Sequence, residues 1–241
     1  RLSQGKSWSL LSFARAALLG GYNVKFYSLE MSRYQVMVRM HVMLGAALGI
    51  PVDHIAMRDR VFDREDYSLL VKRVKEEVPG QFFIHDASMG RVSPQSVIHD
   101  KDQADLVIID YAGLMSTSSG GRAIDDWRAM GLISNMLKEA AVSSNLRILA
   151  AAQINREGDT AGNAPPKVKN LAQSDALGQD ADVVITHKQM SKSVMVYGVE
   201  KNRHGASGTR FYTRFLPNEG KFKEIDKSTA EDIKDDEDCD D

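Results

Sequence analysis

A short apolar run in the middle of the chain limits the possible folds more than any other segment. Residues 106–109 are Leu, Val, Ile and Ile, and the run ends in the carboxylate of Asp110. Side chains of a strand alternate between its two faces, so an unbroken apolar run predicts a strand that is covered on both faces. Such strands are typical of parallel sheets with helices on either side. The run therefore predicts an α/β domain.

The order of the other expected elements supports a doubly wound sheet. Apolar residues recur at helical spacing over 8–19, and a β-rich run follows at 24–29. Further helices are expected after Ser32, after Ser93 and over 125–144, and further strands at 81–86, 146–152, 183–185, 193–199 and 209–216. Alternating helices and buried strands predict a mainly parallel sheet, and the late strands are expected to be antiparallel strands at its edge.

The tripeptide Gly5-Lys6-Ser7 stands directly before the first expected helix. It matches the second half of the P-loop pattern G-x-x-x-x-G-K-[ST], whose amides and helix N terminus hold phosphates. Lys6 would neutralise β- and γ-phosphate oxygens, and Ser7 would be a ligand of Mg²⁺. The tripeptide alone is weak evidence, but its position before a helix strengthens the prediction. The cofactors expected here are therefore ATP and Mg²⁺.

Two carboxylates are expected beside this motif. Asp110 ends a central strand, and Glu30 ends the strand-like run that precedes it. In an open α/β sheet the ligand crevice lies at the carboxyl ends of the strands, so both side chains would point into it. Asp110 fits a Mg²⁺-orienting residue, and Glu30 fits a base that polarises the attacking water. The alternatives are a strand-end turn cap for Asp110 and a salt-bridge partner for Glu30.

Composition narrows the class of protein. With 43% hydrophobic and 27% charged residues, the 241-residue chain suits one globular domain. The sequence shows neither an apolar run long enough for a membrane span nor a leader, which predicts a cytoplasmic protein without a membrane partner. The last eighteen residues, 224–241, hold ten acidic side chains and two lysines. We expect a disordered acidic tail there, behind a basic body at 1–223 that suits a nucleic-acid partner.

Five strings resemble the C-terminal RecA-like ATPase domain of DnaB-type replicative DNA helicases, including phage-like members. They occur in the order of the family and extend from Gly5 to about Gly208. The strings are Ser28-Leu29-Glu30-Met31-Ser32 with Gln35 and Arg39 after it, Ile109-Asp110-Tyr111, Ala152-Gln153-Ile154-Asn155-Arg156, Gln179-Asp180-Ala181-Asp182-Val183 and Lys201-Asn202-Arg203-His204-Gly205. The resemblance implies a RecA-like P-loop NTPase fold and an ATP-dependent DNA helicase.

The resemblance also implies roles for individual residues. The catalytic residues would be Lys6, Glu30, Gln153, Lys201 and Arg203, and the nucleotide would contact Gly5, Lys6, Ser7, Trp8 and Arg39. Gln153 would sense the γ-phosphate, and Arg39 would pack against the base. Arg203, with Lys201 two residues away on the same strand face, would reach the γ-phosphate held by a neighbouring subunit. Ser7 and Asp110 would serve Mg²⁺. Without the resemblance, Lys201 and Arg203 would be interpreted as basic residues of an ordinary edge strand.

Two loops are expected to face single-stranded DNA in the centre of a ring. They cover 116–122 and 156–174, and the DNA contacts would come from Arg122, Arg156, Lys167, Lys169 and Ser174. Because neither loop has an aromatic residue, the contacts would follow the phosphate backbone and would not stack on bases. A pair of solvated surface loops is the alternative.

The family resemblance implies a homo-oligomer, a hexameric ring that moves 5′ to 3′, with a primase, a helicase loader and a polymerase as further partners. A family P-loop would begin one position before Arg1, and family members have an N-terminal helical domain upstream of it. We therefore expect the start of the P-loop and the N-terminal domain to be missing from this sequence. Two alternatives remain: a RecA- or RadA-like recombinase on the same fold, and a nucleotide-binding regulator without turnover.

Overall fold

The computed structural model describes residues 5–99, 104–117, 126–153, 165 and 175–239. The helices and strands follow each other as α1 (Lys6–Leu19), β1 (Val24–Ser28), α2 (Arg33–Leu48), α3 (His54–Asp59), α4 (Arg64–Glu77), β2 (Phe82–Asp86), α5 (Pro94–His99), β3 (Leu106–Asp110), α6 (Asp126–Ser143), β4 (Arg147–Ala150), α7 (Asp175–Asp180), β5 (Val183–Gln189), β6 (Val194–Asn202), β7 (Arg210–Leu216), β8 (Lys221–Ile225) and α8 (Lys227–Cys239). Every helix and strand expected from the sequence is present, with ends that differ by a few residues.

The first four strands form a parallel sheet in the order β2-β1-β3-β4. Val24 at the start of β1 pairs with Phe82 on one side and with Leu106 on the other. The chain thus crosses between strands through helices, as parallel pairing requires. The predicted α/β architecture with a mainly parallel sheet is confirmed.

Both faces of this sheet are covered, which explains the unbroken apolar run in β3. Phe26 and Ile108 point towards α1 and α2, where they join a core that includes Leu11 and Met40. Val107 and Ile109 point the other way, into a core with residues of α5 and α6. All the apolar side chains of β3 except that of Leu106 are buried. Alternate residues of the strand therefore supply two separate cores.

The late strands differ from the expectation of antiparallel edge strands. They form a second sheet of their own, antiparallel throughout, in the order β5-β6-β7-β8. Its inner face carries Met195, Tyr197 and Phe215, which are buried in the same core as α1. The hairpins thus bury their apolar face against α1, and this packing brings the second sheet beside the residues that are predicted to bind a nucleotide.

The acidic C-terminal segment forms a helix, contrary to the disordered tail expected for 224–241. Asp226 caps α8 by accepting hydrogen bonds from the Thr229 amide at 2.9 Å and the Thr229 hydroxyl at 2.8 Å. Ala230 is fully buried, and the Glu237 carboxylate accepts hydrogen bonds from the amide and the hydroxyl of Ser193. Composition predicted a solvated segment, but one buried face and specific hydrogen bonds to the second sheet hold the helix in place.

None of the helices within the described parts of the chain is long and apolar enough to cross a membrane.

Candidate nucleotide-binding site

Three neighbouring strands end at the same level of the parallel sheet. Ser28 at the end of β1 pairs with Asp86 of β2 and with Asp110 of β3. The carboxyl ends of these strands therefore bring two carboxylates and a hydroxyl to one edge. This edge is where open α/β sheets bind their ligands.

The P-loop helix begins at that edge. Gly5 precedes α1 with a φ of 75° and a ψ of 9°, a left-handed conformation that glycine adopts without strain. A side chain at this position would also lie 3.4 Å from the end of Met195. No acidic residue occupies the first turn of α1, so the positive end of the helix dipole is not neutralised by the helix itself. The N terminus of α1 is suited to bind an anion.

Lys6, Ser7, Glu30 and Asp110 meet at this helix end, as the sequence predicted. The Ser7 hydroxyl donates a hydrogen bond of 2.5 Å to Asp110, and Lys6 Nζ lies 3.2 Å from the other oxygen of that carboxylate. Lys6 Nζ also donates to Glu30 at 3.4 Å. Asp110 is fully buried, whereas the side chain of Glu30 is 43% exposed. The cluster therefore holds one carboxylate inside the protein and presents the other to the crevice.

The turn that carries Glu30 is held by its neighbours. The Ser28 hydroxyl donates to the carbonyl of Met31 at 2.7 Å, and the Leu29 amide donates to the carbonyl of Asp110 at 2.8 Å. Directly after the turn, Ser32 caps α2 together with Gln35 in a reciprocal capping box. Hydrogen bonds on both sides of the turn therefore fix its backbone, which orients the Glu30 side chain.

Asp86 holds the chain beside the site, a role that the sequence interpretation missed. It accepts a 2.6 Å hydrogen bond from the Arg33 amide at the start of α2, and it also accepts from the amide and hydroxyl of Ser88. The Ser88 hydroxyl, followed by the Arg33 amide, lowers the pKa of Asp86, so the carboxylate stays ionised. Its position at the end of β2, like that of Asp110 in β3, was the available signal.

Tyr111 is a second residue without a predicted role. The Lys6 ammonium lies 4.0 Å from the centre of the Tyr111 ring, within cation–π distance. Tyr111 follows Asp110 directly, so the ring and the carboxylate approach the ammonium from the same strand end. Lys6 is thus restrained by three groups before any phosphate binds.

Arg39 and Trp8 lie together on the other side of the crevice. The Arg39 guanidinium lies 5.2 Å from the Trp8 ring, and His54 contacts the same ring edge-on at 5.1 Å. Burial lowers the pKa of Arg39, and the nearby charges of Asp110 and Glu30 oppose this effect. A planar cation against an indole offers a flat surface beside the phosphate site, which fits the predicted contact of Arg39 with a base.

Tyr197 connects the second sheet to the P-loop helix. Its hydroxyl lies 2.8 Å from that of Ser9, whose hydroxyl also bonds the Gly5 carbonyl at 3.1 Å. The Tyr197 ring stacks on Phe211 at 4.8 Å and on His187 at 5.7 Å. Through Tyr197, the strands β5, β6 and β7 of the second sheet are thus packed beside the first turn of α1.

His187 gives this packing a measurable pH dependence. Burial, followed by the charge of Lys6, lowers the pKa of His187 to about 4. Between about pH 6.5 and 4 the unfolded chain binds a proton at this position and the folded chain does not, so stability falls as the pH drops through that window. The full effect is about 3 kcal/mol at the usual 1.36 kcal/mol per pH unit.

We expect His187→Phe, which keeps a ring against Tyr197, to reduce the loss of unfolding free energy between pH 7 and pH 5. Urea denaturation at both pH values measures this loss. His99→Phe, at an exposed position of α5, is the matched control and should behave like the wild type. An unchanged pH dependence in His187→Phe would show that His187 titrates normally in the folded protein.

Gln153 is the predicted γ-phosphate sensor. It follows β4, is exposed, and lines the same cleft as Gly5, Lys6 and Glu30. The cleft has a volume of about 1100 Å³ and continues between β4 and β5. Trp8 and Arg39 also line it, so the structure brings the predicted nucleotide contacts into one crevice.

Lys201 and Arg203 do not line this crevice themselves, but they bind Gly178 and Asp182 of their own chain, which do line it. Lys201 Nζ donates to the carbonyls of Gly178 and Gln179 at 3.0 and 2.7 Å. β6 ends at Asn202, so Arg203 stands in the following turn and not on the strand face that was predicted. The Arg203 side chain is 48% exposed and pairs with Asp182. The two basic residues therefore remain candidates for contact with another subunit.

The five predicted DNA-binding residues, Arg122, Arg156, Lys167, Lys169 and Ser174, lie outside the described residues.

The residues around Asp110 fit a magnesium ion. Its Oδ1 atom is buried and receives no regular hydrogen bond from the described part of the chain, although Lys6 is near. A buried carboxylate oxygen beside the Ser7 hydroxyl is the oxygen donor set that Mg²⁺ prefers when phosphates and water supply its other ligands. Among the described residues, no three His, Cys, Asp or Glu side chains form a metal cage. The site thus suits a metal that arrives with a nucleotide.

Comparison with known proteins identifies the family. A model of the DnaB-like helicase C-terminal domain matches residues 1–224. The chain belongs to this family. It is 30% identical over 190 residues to the replicative DNA helicase DnaB of Leifsonia xyli subsp. xyli. The matched region covers 77% of this chain and 40% of that protein. The chain thus spans less than half the length of this curated relative.

Solved structures share the fold. A DnaB-like replicative helicase studied with its primase interactions matches with a TM-score of 0.77 and 21% identity, covering 94% of this chain and 56% of that one. A solved ATPase domain matches with a TM-score of 0.78 and 21% identity, covering 94% of this chain and 82% of that one. The RadB recombinase matches less well, with a TM-score of 0.54 and 15% identity. The predicted RecA-like fold and the family resemblance are both confirmed, and no comparison favours a recombinase.

Proposed function

We propose that this domain is the ATP-driven motor of a replicative DNA helicase, which works as a hexameric ring and moves 5′ to 3′ along single-stranded DNA. The observation that carries the proposal is the meeting of Lys6, Ser7, Glu30 and Asp110 at the N terminus of α1. A phosphate cradle, a buried carboxylate and an exposed carboxylate are the parts that nucleotide hydrolysis needs. Membership of the DnaB-like helicase family supports DNA as the polymer along which the domain moves.

The residues divide the work of hydrolysis. The amides of the first turn of α1 and the Lys6 ammonium hold the β- and γ-phosphates, while Ser7 and Asp110 would hold Mg²⁺, which neutralises phosphate charge when it is bound. Glu30 accepts a proton from the attacking water. The water oxygen bonds to the γ-phosphorus as the bond to the β–γ bridging oxygen breaks, and ADP and phosphate leave. Gln153 contacts the γ-phosphate and relays its loss to the chain that follows.

Lys6 exchanges partners when ATP binds. It contacts Glu30 and Asp110 in the structure, and γ-phosphate oxygens compete with these carboxylates for the same ammonium. Glu30 is the more exposed of the two partners, so we expect ATP to displace Glu30 from the ammonium. The base is thereby set free when its substrate arrives.

We further propose that Arg203, assisted by Lys201, completes the site of the adjacent subunit. Its side chain is 48% exposed and does not itself line the crevice of its own chain. DNA would pass through the ring and contact Arg122, Arg156, Lys167, Lys169 and Ser174. The primase interactions of a structurally similar helicase suggest a primase as partner, and the family suggests a loader and a polymerase. The protein would act in the cytoplasm, where its DNA is replicated.

Strand displacement on a forked DNA tests this function. We expect unwinding that needs both ATP and Mg²⁺, and none from Lys6→Ala. Binding of a labelled single strand in the presence of a non-hydrolysable ATP analogue should weaken steeply as salt rises, because phosphate contacts release counterions. A protein that hydrolyses ATP but binds no DNA at low salt would contradict the helicase function.

A further inference from the structure

The side chain proposed to act on the neighbouring subunit has a fixed partner in its own chain. Arg203 Nη1 lies 2.8 Å from Asp182 Oδ1, and the Arg203 amide donates to the Asp182 carbonyl at 2.8 Å. Asp182 therefore holds both the backbone and the side chain of Arg203.

Asp182 is itself held by a second cation. Lys138 Nζ, from α6, donates to both carboxylate oxygens of Asp182 at 2.8 and 2.7 Å. The Lys138 hydrogen bond is the main cause that lowers the pKa of Asp182, with the charges of Lys138 and Arg203 adding to it. The carboxylate consequently remains ionised over the whole working range of pH. It is anchored to a long helix that packs against the parallel sheet.

The side chain of Arg203 stays partly exposed beside Asp182. A guanidinium has five N–H groups in a planar fork, and the contact with Asp182 joins Nη1 to one carboxylate oxygen. The side chain is 48% exposed, so it also faces the surroundings of the chain. An arginine that is held on one side can still donate to a phosphate on the other.

We propose that Asp182 is the positioning residue of Arg203: it holds the guanidinium in one direction so that its free donors meet the γ-phosphate of the adjacent subunit. This inference rests on the proposed trans-acting role of Arg203. Arginine has a long side chain with many rotamers, and fixing it before the nucleotide arrives removes an entropic cost from the transition state. Lys138 supports the arrangement, because it fixes the carboxylate and balances its charge.

A double-mutant cycle in the ATPase reaction tests this inference. Asp182→Asn keeps the size of the side chain but removes its charge, and we expect kcat to fall about tenfold with KM unchanged, the usual size of a charged hydrogen bond. The same substitution in an Arg203→Ala background should have no further effect, because Asp182 acts through Arg203. Asp182→Glu, which restores the charge, should recover part of the loss.

Asp180→Asn is the matched control. Asp180 stands two residues upstream and accepts a hydrogen bond from Ser134 of α6 at 2.5 Å, without contact to Arg203. This variant should keep the wild-type kcat. Thermal unfolding of each variant by circular dichroism shows whether the fold is retained, and the Asp182→Glu variant carries the test if Asp182→Asn does not fold.

The outcomes separate this inference from the proposed function. If Arg203→Ala itself hydrolyses ATP normally, the trans-acting role fails. If Arg203→Ala is inactive but Asp182→Asn lowers kcat equally in both backgrounds, Asp182 is structural and the inference fails. An increase of kcat in Asp182→Asn would also overturn it, because Asp182 would then be a restraint that keeps Arg203 away from the phosphate.

Discussion

Glu30→Gln is expected to bind ATP as tightly as the wild-type protein and to hydrolyse it at least about 100-fold more slowly, the usual contribution of a general base. The amide has the size of the carboxylate, but it cannot accept the proton of the attacking water. Binding should not weaken, because Glu30 competes with the phosphates for Lys6. Titration with a fluorescent ATP analogue measures the affinity, and phosphate release measures turnover.

A matched variant separates this effect from a general loss of charge. Glu76→Gln makes the same change at an exposed position of α4 and should leave turnover unchanged. If Glu30→Gln released phosphate at the wild-type rate, Glu30 would not be the base. The base would then have to be another group of the same crevice.

Arg203→Ala is expected to lower kcat by roughly 10³-fold or more, the range measured for arginine fingers. The loss should be partly reversed by mixing with Lys6→Ala subunits. A Lys6→Ala subunit cannot use its own phosphate site but still offers Arg203 to a neighbour, whose intact site then becomes active. Turnover measured across a series of mixing ratios should therefore pass through a maximum, although each variant alone is inactive.

Two observations complete this test. Arg214→Ala removes an arginine from an exposed position of β7 and should keep the wild-type kcat. A mixture without recovery at any ratio would contradict the trans arrangement, because both functional halves would then be needed in one chain. Electron microscopy with ATP and single-stranded DNA shows whether the mixed subunits assemble into rings.

Local patterns predicted which residues meet at the N terminus of α1, for a physical reason. Gly5, Lys6 and Ser7 are neighbours in the chain, so the residues at the helix N terminus follow from the sequence order alone. Asp110 ends a strand whose apolar run indicates its place in the sheet. Strand ends of a parallel sheet lie at one edge, and this rule was enough to expect Asp110 and Glu30 beside Lys6.

Local sequence patterns were less informative where a residue binds a partner that lies far away in the sequence. Asp86 holds the start of α2 through an amide 53 positions upstream, and a strand-end Asp gives no indication of which amide it will bind. The acidic tail is a similar case, since its composition is that of a solvated segment. Its helix depends on Ala230 and Glu237 meeting the surface of the second sheet.

The sequence by itself determined the order of most helices and strands up to β7, the helix end that suits phosphate and the family, because each depends on neighbouring residues or on regular spacing. Only the tertiary structure decided that the late strands form a separate sheet under the P-loop helix. It also decided that Arg203 rests against Asp182, and that Asp182 in turn is held by Lys138, which lies 44 positions away in the chain. Such contacts arise from how whole elements pack, which no local pattern encodes.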